Sequence, residues 1–381
     1  MKETIYLDHA ATTPMAPEVI EVMTKALNEN FGNASSIHQL GKKNRVLVDY
    51  ARQTMAKSIG ATPNELIITS GGTESDNMAI LKTAEKFSDR GKHIITTEIE
   101  HPAVLEPMKY LEKQGYEVTY LPVNEKGNIT PEQVEEAIRP DTILVSIMYG
   151  NNEVGSVLPV KEIGQMLRDH DQEIVFHTDA VQAYGTIQID VDELNVDLLS
   201  VSGHKINGPK GIGFLYVREG INLPSFILGG AQENEHRAGT ENIPSILAFE
   251  KAIQLHQENM EANTTHLRGL KEAFVELLEE EDIDYSLNGE LEGSLPHVLS
   301  ISVPAVRSDM LLIQMDLRGV ALSAGSACTA GTIEPSHVLT AMFGEDAVEI
   351  DHTVRFSFGM TTTFEEVKEA VRILGKIVNK Q

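Results

Sequence analysis

Lys205 stands in a segment whose composition suits covalent chemistry on a lysine amine. The run VSGHKINGPKGIG (201–213) follows a predicted buried strand and places Ser202, His204 and Lys205 among four glycines and one proline. A lysine at the end of a core strand, among small residues, can be desolvated and lose its charge, as a lysine that forms a Schiff base requires. The alternative is a polar turn with Lys205 in solvent, where most lysines lie.

A second group of polar residues ends another predicted core strand. The run HTDAVQAYG (177–185) follows EIVF and contains His177, Asp179 and Gln182. An acid at the carboxyl end of a strand in an α/β sheet lies where ligands bind, and it could pair with the protonated ring nitrogen of pyridoxal phosphate (PLP). A structural Asp that caps the next helix explains the pattern equally well. His101, in EIEHPAVL, could stack on an aromatic cofactor or be structural.

A glycine pair precedes a predicted helix in SGGTES (70–75). Gly71 and Gly72 let the backbone approach a ligand closely. The Thr73 hydroxyl and the N–H groups at the start of the helix would face an anion. An ordinary strand–helix turn, capped by Thr73 or Ser75, is the alternative.

Cys328 is the only cysteine, and it lies in ALSAGSACTAGT (321–332). Small residues surround it with almost nothing to build a core, which predicts a flexible exposed loop. A structural cysteine is usually buried among apolar neighbours. The composition therefore favours a reactive thiol over a structural one.

Arg355 interrupts an apolar run in TVRFSFG. An arginine in a predicted strand needs a partner, and the carboxylate of a substrate suits its planar fork. The alternative is a structural ion pair.

Three of the histidines named above also raise the question of a metal site. His101, His177 and His204 belong to different strand ends and show no H-x-x-x-H or H-x-x-E-H spacing. Because metal-ligand sets usually show such local spacing, we expect no catalytic metal.

The overall composition narrows the class of protein that these residues serve. The chain has 381 residues, with 31 Lys and Arg against 57 Asp and Glu, for a formal net charge of −26. A surface this negative repels phosphate backbones, and no basic patch is evident, so we expect no direct nucleic-acid binding. A single cysteine excludes an intrachain disulfide and a multi-cysteine metal site. The start MKETIYLDHA has no apolar signal core, and no run of about 18 apolar residues occurs, so we expect a cytoplasmic protein without a membrane segment.

The elements that position these residues follow an alternating pattern. From about residue 64 to Asp179, short β-rich runs such as ELIITS, KHIITT and TILVSIM alternate with helical stretches, and DLLSVS (197–202) and GIGFLYV (211–217) are two further strand candidates. This alternation predicts a mainly parallel sheet covered by helices on both faces. After residue 243 we expect a long helix with one break, then a second α/β pattern that includes LSISV (299–303), a helix near 308–318 and VRFSF (354–358). We predict a domain boundary near residue 260.

Taken together, ten motifs resemble those of one family, in the family's order: YLDHAATTP, FGNASSIH, TSGGTESDN, EHPAVL, NNEVG, HTDAVQAYG, SGHKINGPKGIG, RAGTEN, GSACTAG and VRFSFG. They resemble the PLP-dependent cysteine desulfurases of the NifS/IscS type, within the class V aminotransferases. The match covers nearly the whole chain. The GSACT loop, with a short segment before VRFSFG, is similar to the IscS-like branch and not to the SufS-like one.

The resemblance implies roles around the cofactor. Lys205 matches the lysine that holds PLP covalently, Asp179 the acid on the pyridinium nitrogen, Gln182 the donor to the ring hydroxyl and His101 the imidazole stacked on the ring. The phosphate-binding residues that it implies, with Thr240 supplied by the second subunit, are Gly72, Thr73, Ser202, His204 and Thr240.

The resemblance also implies roles at the substrate. Asn152 and Arg355 match the residues that bind the substrate carboxylate, with Asn152 also contacting the cofactor and Asn33 a weaker candidate beside them. Cys328 matches the thiol that attacks the sulfur of L-cysteine and leaves alanine. Iron–sulfur cluster assembly and tRNA thiolation are the pathways that such sulfur supplies, through an acceptor protein.

The implied fold is that of a homodimeric fold-type I PLP enzyme. We expect a large PLP-binding domain over 13–260 with a mainly parallel seven-stranded sheet. A smaller α/β domain would comprise 1–12 and 261–381 and carry the cysteine loop.

Two classes of alternative stay open. Selenocysteine lyase, kynureninase or an ordinary aminotransferase would share the cofactor residues, so Cys328 and its loop separate these reactions from desulfuration. A catalytically inactive scaffold or sulfur-carrier partner would have lost Lys205, Asp179 or Cys328, and all three are present.

Overall fold

The structure is a computed structural model that describes residues 4–324 and 335–379. Apolar, β-branched runs such as LIIT and TILVS form its fully buried strands, because such side chains pack well on a pleated surface that is covered on both faces. The strands are β1 Ile5–Tyr6, β2 Leu66–Thr69, β3 His93–Thr97, β4 Glu117–Leu121, β5 Thr142–Ser146, β6 Val175–Asp179, β7 Leu198–Ser202, β8 Gly213–Val217, β9 Ser286–Asn288, β10 Val298–Ser302, β11 Val320–Ala321 and β12 Thr353–Ser357.

Helices connect and cover these strands. Several begin with Pro in the first turn or with a side-chain cap, as do α4, where His101 accepts a hydrogen bond from the Ala103 N–H, and α11, where Thr363 forms a capping box with Glu366. The helices are α1 Pro17–Glu29, α2 Gln39–Lys57, α3 Gly72–Lys86, α4 Pro102–Glu112, α5 Pro131–Ala137, α6 Val160–Asp169, α7 Ile243–Glu280, α8 Ser308–Asp316, α9 His337–Phe343, α10 Val348–His352 and α11 Phe364–Val378.

The central sheet has seven strands in the order β2-β8-β7-β6-β5-β3-β4. Strand β8 is antiparallel to both of its neighbours, and the other pairs are parallel. Apolar side chains of α3 and α4 pack on one face, and those of α2, α6 and the first half of α7 pack on the other. The predicted mainly parallel, doubly covered sheet is confirmed.

Two smaller sheets lie in the C-terminal part of the chain. Strands β12, β10 and β9 form an antiparallel sheet, and β1 pairs in parallel with β11. Leu7 and the second half of α7 share an apolar cluster with β10, β12, α8 and α11. The N-terminal residues therefore pack with the C-terminal part.

The long helix differs from the expectation in one respect. Helix α7 runs without a break over 38 residues, so the predicted interruption is wrong. Its poor helix formers make tertiary contacts instead: the Thr264 hydroxyl donates to the Thr186 carbonyl, and Asn263 contacts the sulfur of Met360. Such contacts outweigh weak helix propensity. The predicted boundary near residue 260 falls inside this helix and stays a prediction.

None of the helices in the described ranges is both long and apolar enough to span a lipid bilayer.

Candidate active site

Most of the site residues predicted from the sequence follow the carboxyl ends of β3, β5, β6 and β7 or the turn before α3. Parallel neighbours end at the same edge of a sheet, so residues far apart in sequence converge there. His101 follows β3, Asp179 ends β6, and Ser202 ends β7.

Lys205 ends the short 3₁₀ turn that follows β7 and points toward the N-terminal segment. Its Nζ donates to the carbonyl oxygens of Ala10 and Ala11, the latter at 2.9 Å. Burial, reinforced by the charge of Arg355, lowers the pKa of the Lys205 amine to about 8. Desolvation therefore prepares this lysine to act as a neutral amine.

Asp179 is buried at the end of β6. Its Oδ1 accepts a hydrogen bond from the Val181 N–H at 2.9 Å. Burial raises the pKa of this carboxyl group, and the charges of His101 and Lys205 oppose that rise. A cationic group placed against Asp179 would favour its ionised form in the same way.

A network of buried polar groups lies behind Asp179. Asp76, on α3, is almost completely buried, and its Oδ1 lies 3.5 Å from Nε2 of His177. Burial and the nearby Asp179 raise the pKa of Asp76, and burial lowers the pKa of His177 to about 3. His177 also contacts the hydroxyls of Ser146 and Ser200 at 2.8 and 3.1 Å. His177 thus forms part of the core of the sheet.

The glycine turn before α3 packs closely against the segments beside it. Gly71 adopts φ 145°, and a Cβ there would lie 3.5 Å from Oγ of Ser202. A Cβ on Gly72 would lie 2.7 Å from Cγ2 of Val181. Thr73 is exposed in the first turn of α3, where N–H groups without helical partners attract anions.

Gln182 and His204 contact the segment that follows β1. Gln182 is buried and its Nε2 donates to the Ala10 carbonyl at 3.0 Å. Nδ1 of His204 lies 3.2 Å from the hydroxyl of Thr12, and burial lowers the pKa of His204 to about 4. His101 caps α4 and is exposed in the single chain.

Arg355 lies on β12 and is only 4% exposed. One terminal nitrogen donates to the Asn152 carbonyl at 2.7 Å, and the other donates to Oδ1 of Asp8 at 2.8 Å. Nε of Arg355 is buried with no hydrogen-bond partner among the described residues. Asn152 thus meets Arg355 through its backbone. The N–H group at Nε of Arg355 therefore stays available to donate to a further acceptor.

Two predicted residues make no described contact with this group. Asn33 is exposed, and its Oδ1 accepts from the Ser35 N–H at 2.8 Å. Thr240 is exposed and lies two residues before Asn242, the N-cap of α7. Within the single chain, these two stand apart from Lys205 and Arg355 in every contact that the structure describes.

Cys328 lies outside the described residues, as do residues 325–332 of the loop predicted around it. The first four residues of that predicted loop are described and differ from the prediction, because Ala321 belongs to β11 and Ala324 is buried. The described chain on both sides of the stretch 325–334 is bound at the site. On one side, the Ser323 and Arg355 backbones exchange two hydrogen bonds. On the other, the Ser336 hydroxyl donates to Oε2 of Glu153 at 2.5 Å, and Nε2 of His337 donates to the Glu100 carbonyl at 2.9 Å.

Sequence reasoning assigned no role to three acids around the site, of which Asp76 and Glu100 are buried and Asp8 is partly buried. Asp8 and Asp76 belong to motifs quoted above, and Glu100 directly precedes His101. Burial raises the pKa of Glu100 to about 8, and its Oε1 accepts from the Met148 N–H and the Thr97 hydroxyl. An acid inside a motif rich in small or apolar residues was the available signal for Asp8 and Glu100.

The residues present fit PLP. A side chain at Gly72 would clash with Val181, and Thr73 is exposed at a helix start. Asp179 offers a buried carboxyl group for the ring nitrogen, and Lys205 offers an amine with a lowered pKa for the covalent link. PLP needs a phosphate cradle, an acid for its ring nitrogen and a lysine amine. Among the described residues, no group of three or more His, Cys, Asp or Glu side chains converges to hold a metal.

Comparison with known proteins places the chain among well-defined relatives. Residues 5–370 match the Aminotransferase class-V family. The chain is 50% identical over 378 residues to the putative cysteine desulfurase IscS 1 of Bacillus subtilis (strain 168), covering 99% of both, and 46% identical to the cysteine desulfurase IscS of Dictyoglomus turgidum (strain DSM 6724 / Z-1310), covering 100% of this chain and 96% of the relative.

Solved structures agree with these sequence relationships. A NifS-like protein superimposes with a TM-score of 0.93 at 35% identity, covering 99% of this chain and 100% of the other. The structure of SspA in complex with cysteine superimposes with a TM-score of 0.81 at 39% identity, covering 93% and 98%. Both are similar to this chain over almost its full length.

Proposed function

Since this chain belongs to the class V aminotransferase family and, within it, to the cysteine desulfurases of the IscS type, we propose that it converts L-cysteine to L-alanine with PLP and a persulfide on Cys328. One observation carries the chemical part of the proposal. The desolvated amine of Lys205 lies at the same sheet edge as the buried carboxyl of Asp179 and the glycine turn.

Each part of PLP has residues suited to it. Lys205 would bind it covalently, Asp179 would pair with the ring nitrogen, and His101 would cover the ring. Gln182 would donate to the ring hydroxyl, with Asn152 close by. The phosphate would be held by Gly72, Thr73, Ser202 and His204, with Thr240 from a second subunit. When bound, PLP supplies an electron-withdrawing ring that makes the bonds at the substrate Cα labile.

Arg355 and Lys205 would then act on L-cysteine itself. The guanidinium of Arg355 is buried beside Asn152 and retains an N–H donor for the substrate carboxylate. Asn33 is the weaker candidate for the same carboxylate. Lys205 has a lowered pKa, so its neutral amine is available near neutral pH to accept the proton that leaves Cα.

Cys328 would take the sulfur. Its thiolate attacks the substrate sulfur, an S–S bond forms, and the Cβ–S bond breaks. The electron pair of the broken bond stays on carbon and takes a proton, so alanine leaves and no external oxidant is needed. The contacts of Ser323 with Arg355 and of Ser336 with Glu153 support this role, because the residues on both sides of the cysteine stretch are held at the site.

We propose a homodimer as the working form. Large apolar side chains are exposed on α1, α2 and the segment between them, among them Phe31 at 76% and Ile37 at 90%. Exposed apolar groups of this kind mark protein interfaces. Sedimentation should show a dimer that Ile37→Glu dissociates, whereas Leu317→Glu, at an apolar residue after α8 that is 77% exposed, leaves it intact.

The sulfur is proposed to pass to an acceptor protein in the cytoplasm, for iron–sulfur cluster assembly or tRNA thiolation. A single thiol has no neighbouring cysteine to resolve its persulfide, so the sulfur must leave to another molecule. The net charge of −26 favours an acceptor with a basic docking face and opposes direct contact with RNA.

The test is turnover of L-cysteine by the purified, PLP-loaded protein. We expect equal amounts of alanine and of released or protein-bound sulfur. Lys205→Ala should abolish both products and the visible absorption of bound PLP. Lys210→Ala, an exposed lysine five residues along, should behave as wild type. A PLP-loaded wild-type protein that makes no alanine from cysteine would favour another class V reaction.

A further inference from the structure

His297 contacts Gln182 from the segment that precedes β10. Its Nε2 lies 3.2 Å from Oε1 of Gln182, and the two residues are 8% and 7% exposed. The other ring nitrogen, Nδ1, is buried and has no hydrogen-bond partner in the described part of the chain. The sequence motifs assigned no function to this histidine.

The chemistry of the neighbouring groups decides which atom donates. The Ala10 carbonyl, 3.0 Å from the Gln182 amide, can only accept a hydrogen bond, so the amide nitrogen must face it. Oε1 of Gln182 then faces His297, and Nε2 of His297 must carry the proton. The ring is thus the neutral tautomer that donates from Nε2.

The surroundings keep this ring neutral. Burial, together with the positive charges of Lys271, Lys205 and Arg355, lowers the pKa of His297 to about 3. Lys271 is itself buried, and its amine donates to Ser294 and to the Leu295 carbonyl.

Gln182 retains one donor for a ligand. Its amide group has two N–H bonds, and among the described residues only the Ala10 carbonyl accepts from it. Gln182, Lys205 and His297 line the same cavity. With Oε1 held by His297 and one N–H held by Ala10, the second N–H has a fixed direction.

We infer that His297 is a positioning residue for the cofactor: it holds the Gln182 amide so that its free N–H is presented to the ring hydroxyl of PLP. This inference depends on the proposed function, in which Gln182 is that donor. His297 itself touches Gln182 and not the reacting atoms. Its effect should therefore be seen in the resting, PLP-loaded protein without substrate.

The test follows the visible absorption of bound PLP against pH in two variants. His297→Leu removes the donor, and His297→Gln retains one at the same reach as Nε2. In His297→Leu we expect PLP binding to weaken by about two- to tenfold, the range for one neutral hydrogen bond. The midpoint of the absorbance change should move to higher pH, because the ring hydroxyl, with one donor fewer, holds the proton on the linking nitrogen more tightly. His297→Gln should stay close to wild type.

His256 provides the matched control. It lines the same cavity and is equally buried, but it contacts Asn207 and Gly185 instead of Gln182. His256→Leu should leave the midpoint unchanged. Thermal unfolding of each variant checks that it folds. If His297→Leu does not fold, His297→Gln decides, because a shifted midpoint there would overturn the inference and an unchanged one supports it.

The outcomes separate this inference from the proposed function. A wild-type protein without a PLP-dependent visible band would overturn both. A normal wild-type band, with the same midpoint in His297→Leu, would overturn the role of His297 alone. Equal shifts in the Leu and Gln variants would also overturn it, because the hydrogen-bond donor would then not be what matters.

Discussion

Arg355 and Asp8 form an ion pair, with a terminal guanidinium nitrogen 2.8 Å from Oδ1 of Asp8, although 347 residues separate them in sequence. Asp8 follows β1, and Arg355 lies on β12, so the pair joins the N-terminal segment to the C-terminal part of the chain. The arginine proposed to bind the substrate carboxylate is therefore partly neutralised by an acid of its own chain.

Asp8→Asn tests this partial neutralisation. The amide retains an oxygen at the same reach and removes a negative charge that repels the substrate carboxylate. We expect the KM for L-cysteine to fall by roughly three- to tenfold at low salt, and less at high salt. The control is Asp192→Asn. Asp192 is exposed and forms an ion pair with Arg218, and its substitution should leave the KM for L-cysteine unchanged. A higher KM in Asp8→Asn would mean that Asp8 serves mainly to hold Arg355 in place.

The lowered pKa of Lys205 predicts how PLP capture depends on pH. Only the neutral amine can attack the aldehyde of PLP, and the pKa of Lys205 is about 8 instead of the ordinary 10.5. In protein stripped of PLP, the rate of recovery of the visible band should rise about tenfold per pH unit below pH 8 and level off above it. Arg355→Gln should move this midpoint upward, because the charge of Arg355 contributes to the lowering. A rate that still climbs at pH 10 would show an ordinary lysine.

Cys328 separates desulfuration from the other class V reactions. Cys328→Ala and Cys328→Ser should both retain the visible band of PLP and lose transfer of cysteine sulfur, by at least about 100-fold, because neither side chain can form a persulfide. Mass spectrometry of the wild-type protein after cysteine treatment should find one extra sulfur on the peptide that contains residue 328. Undiminished sulfur release in both variants would exclude Cys328 as the acceptor.

We predict that stability and PLP binding both require a residue without a side chain at position 72. The Cβ of Gly72→Ala would lie 2.7 Å from Val181, so the turn must shift, at a cost of about 1–3 kcal/mol in the free energy of unfolding. PLP binding should weaken as well. Val181→Ala in the same chain should restore most of both losses.

Gly269 is the matched glycine control for that experiment. It lies in α7, where nothing would come within 4 Å of an added Cβ. Gly269→Ala should leave PLP binding unchanged and stabilise the protein slightly, by about 0.5–1 kcal/mol. Denaturant unfolding of the wild type and the three variants gives the comparison, and equal losses at Gly72 and Gly269 would contradict the steric explanation.

The sequence alone was enough to predict most of the central sheet. Strand and helix periods alternate from Leu66 to Asp179, and the strands predicted as ELIITS, KHIITT, TILVSIM, DLLSVS and GIGFLYV are all found within two residues of their expected bounds. Local patterning also identified which residues follow strand ends, and therefore which ones share an edge of the sheet. The unbroken course of α7 was not predictable, because contacts of Asn263 and Thr264 with other segments maintain it.

Residue types and their local spacing were enough to predict the candidate reactive groups: the lysine after β7, the acid at the end of β6, the glycine turn before α3 and the single cysteine. Only the tertiary structure decided the partners of those groups. Asp8 with Arg355, His297 with Gln182 and Ser336 with Glu153 are 347, 115 and 183 residues apart. Local periodicity carries no signal for such pairs, because they form only when folding brings separate elements to one sheet edge and excludes the water that would otherwise satisfy them.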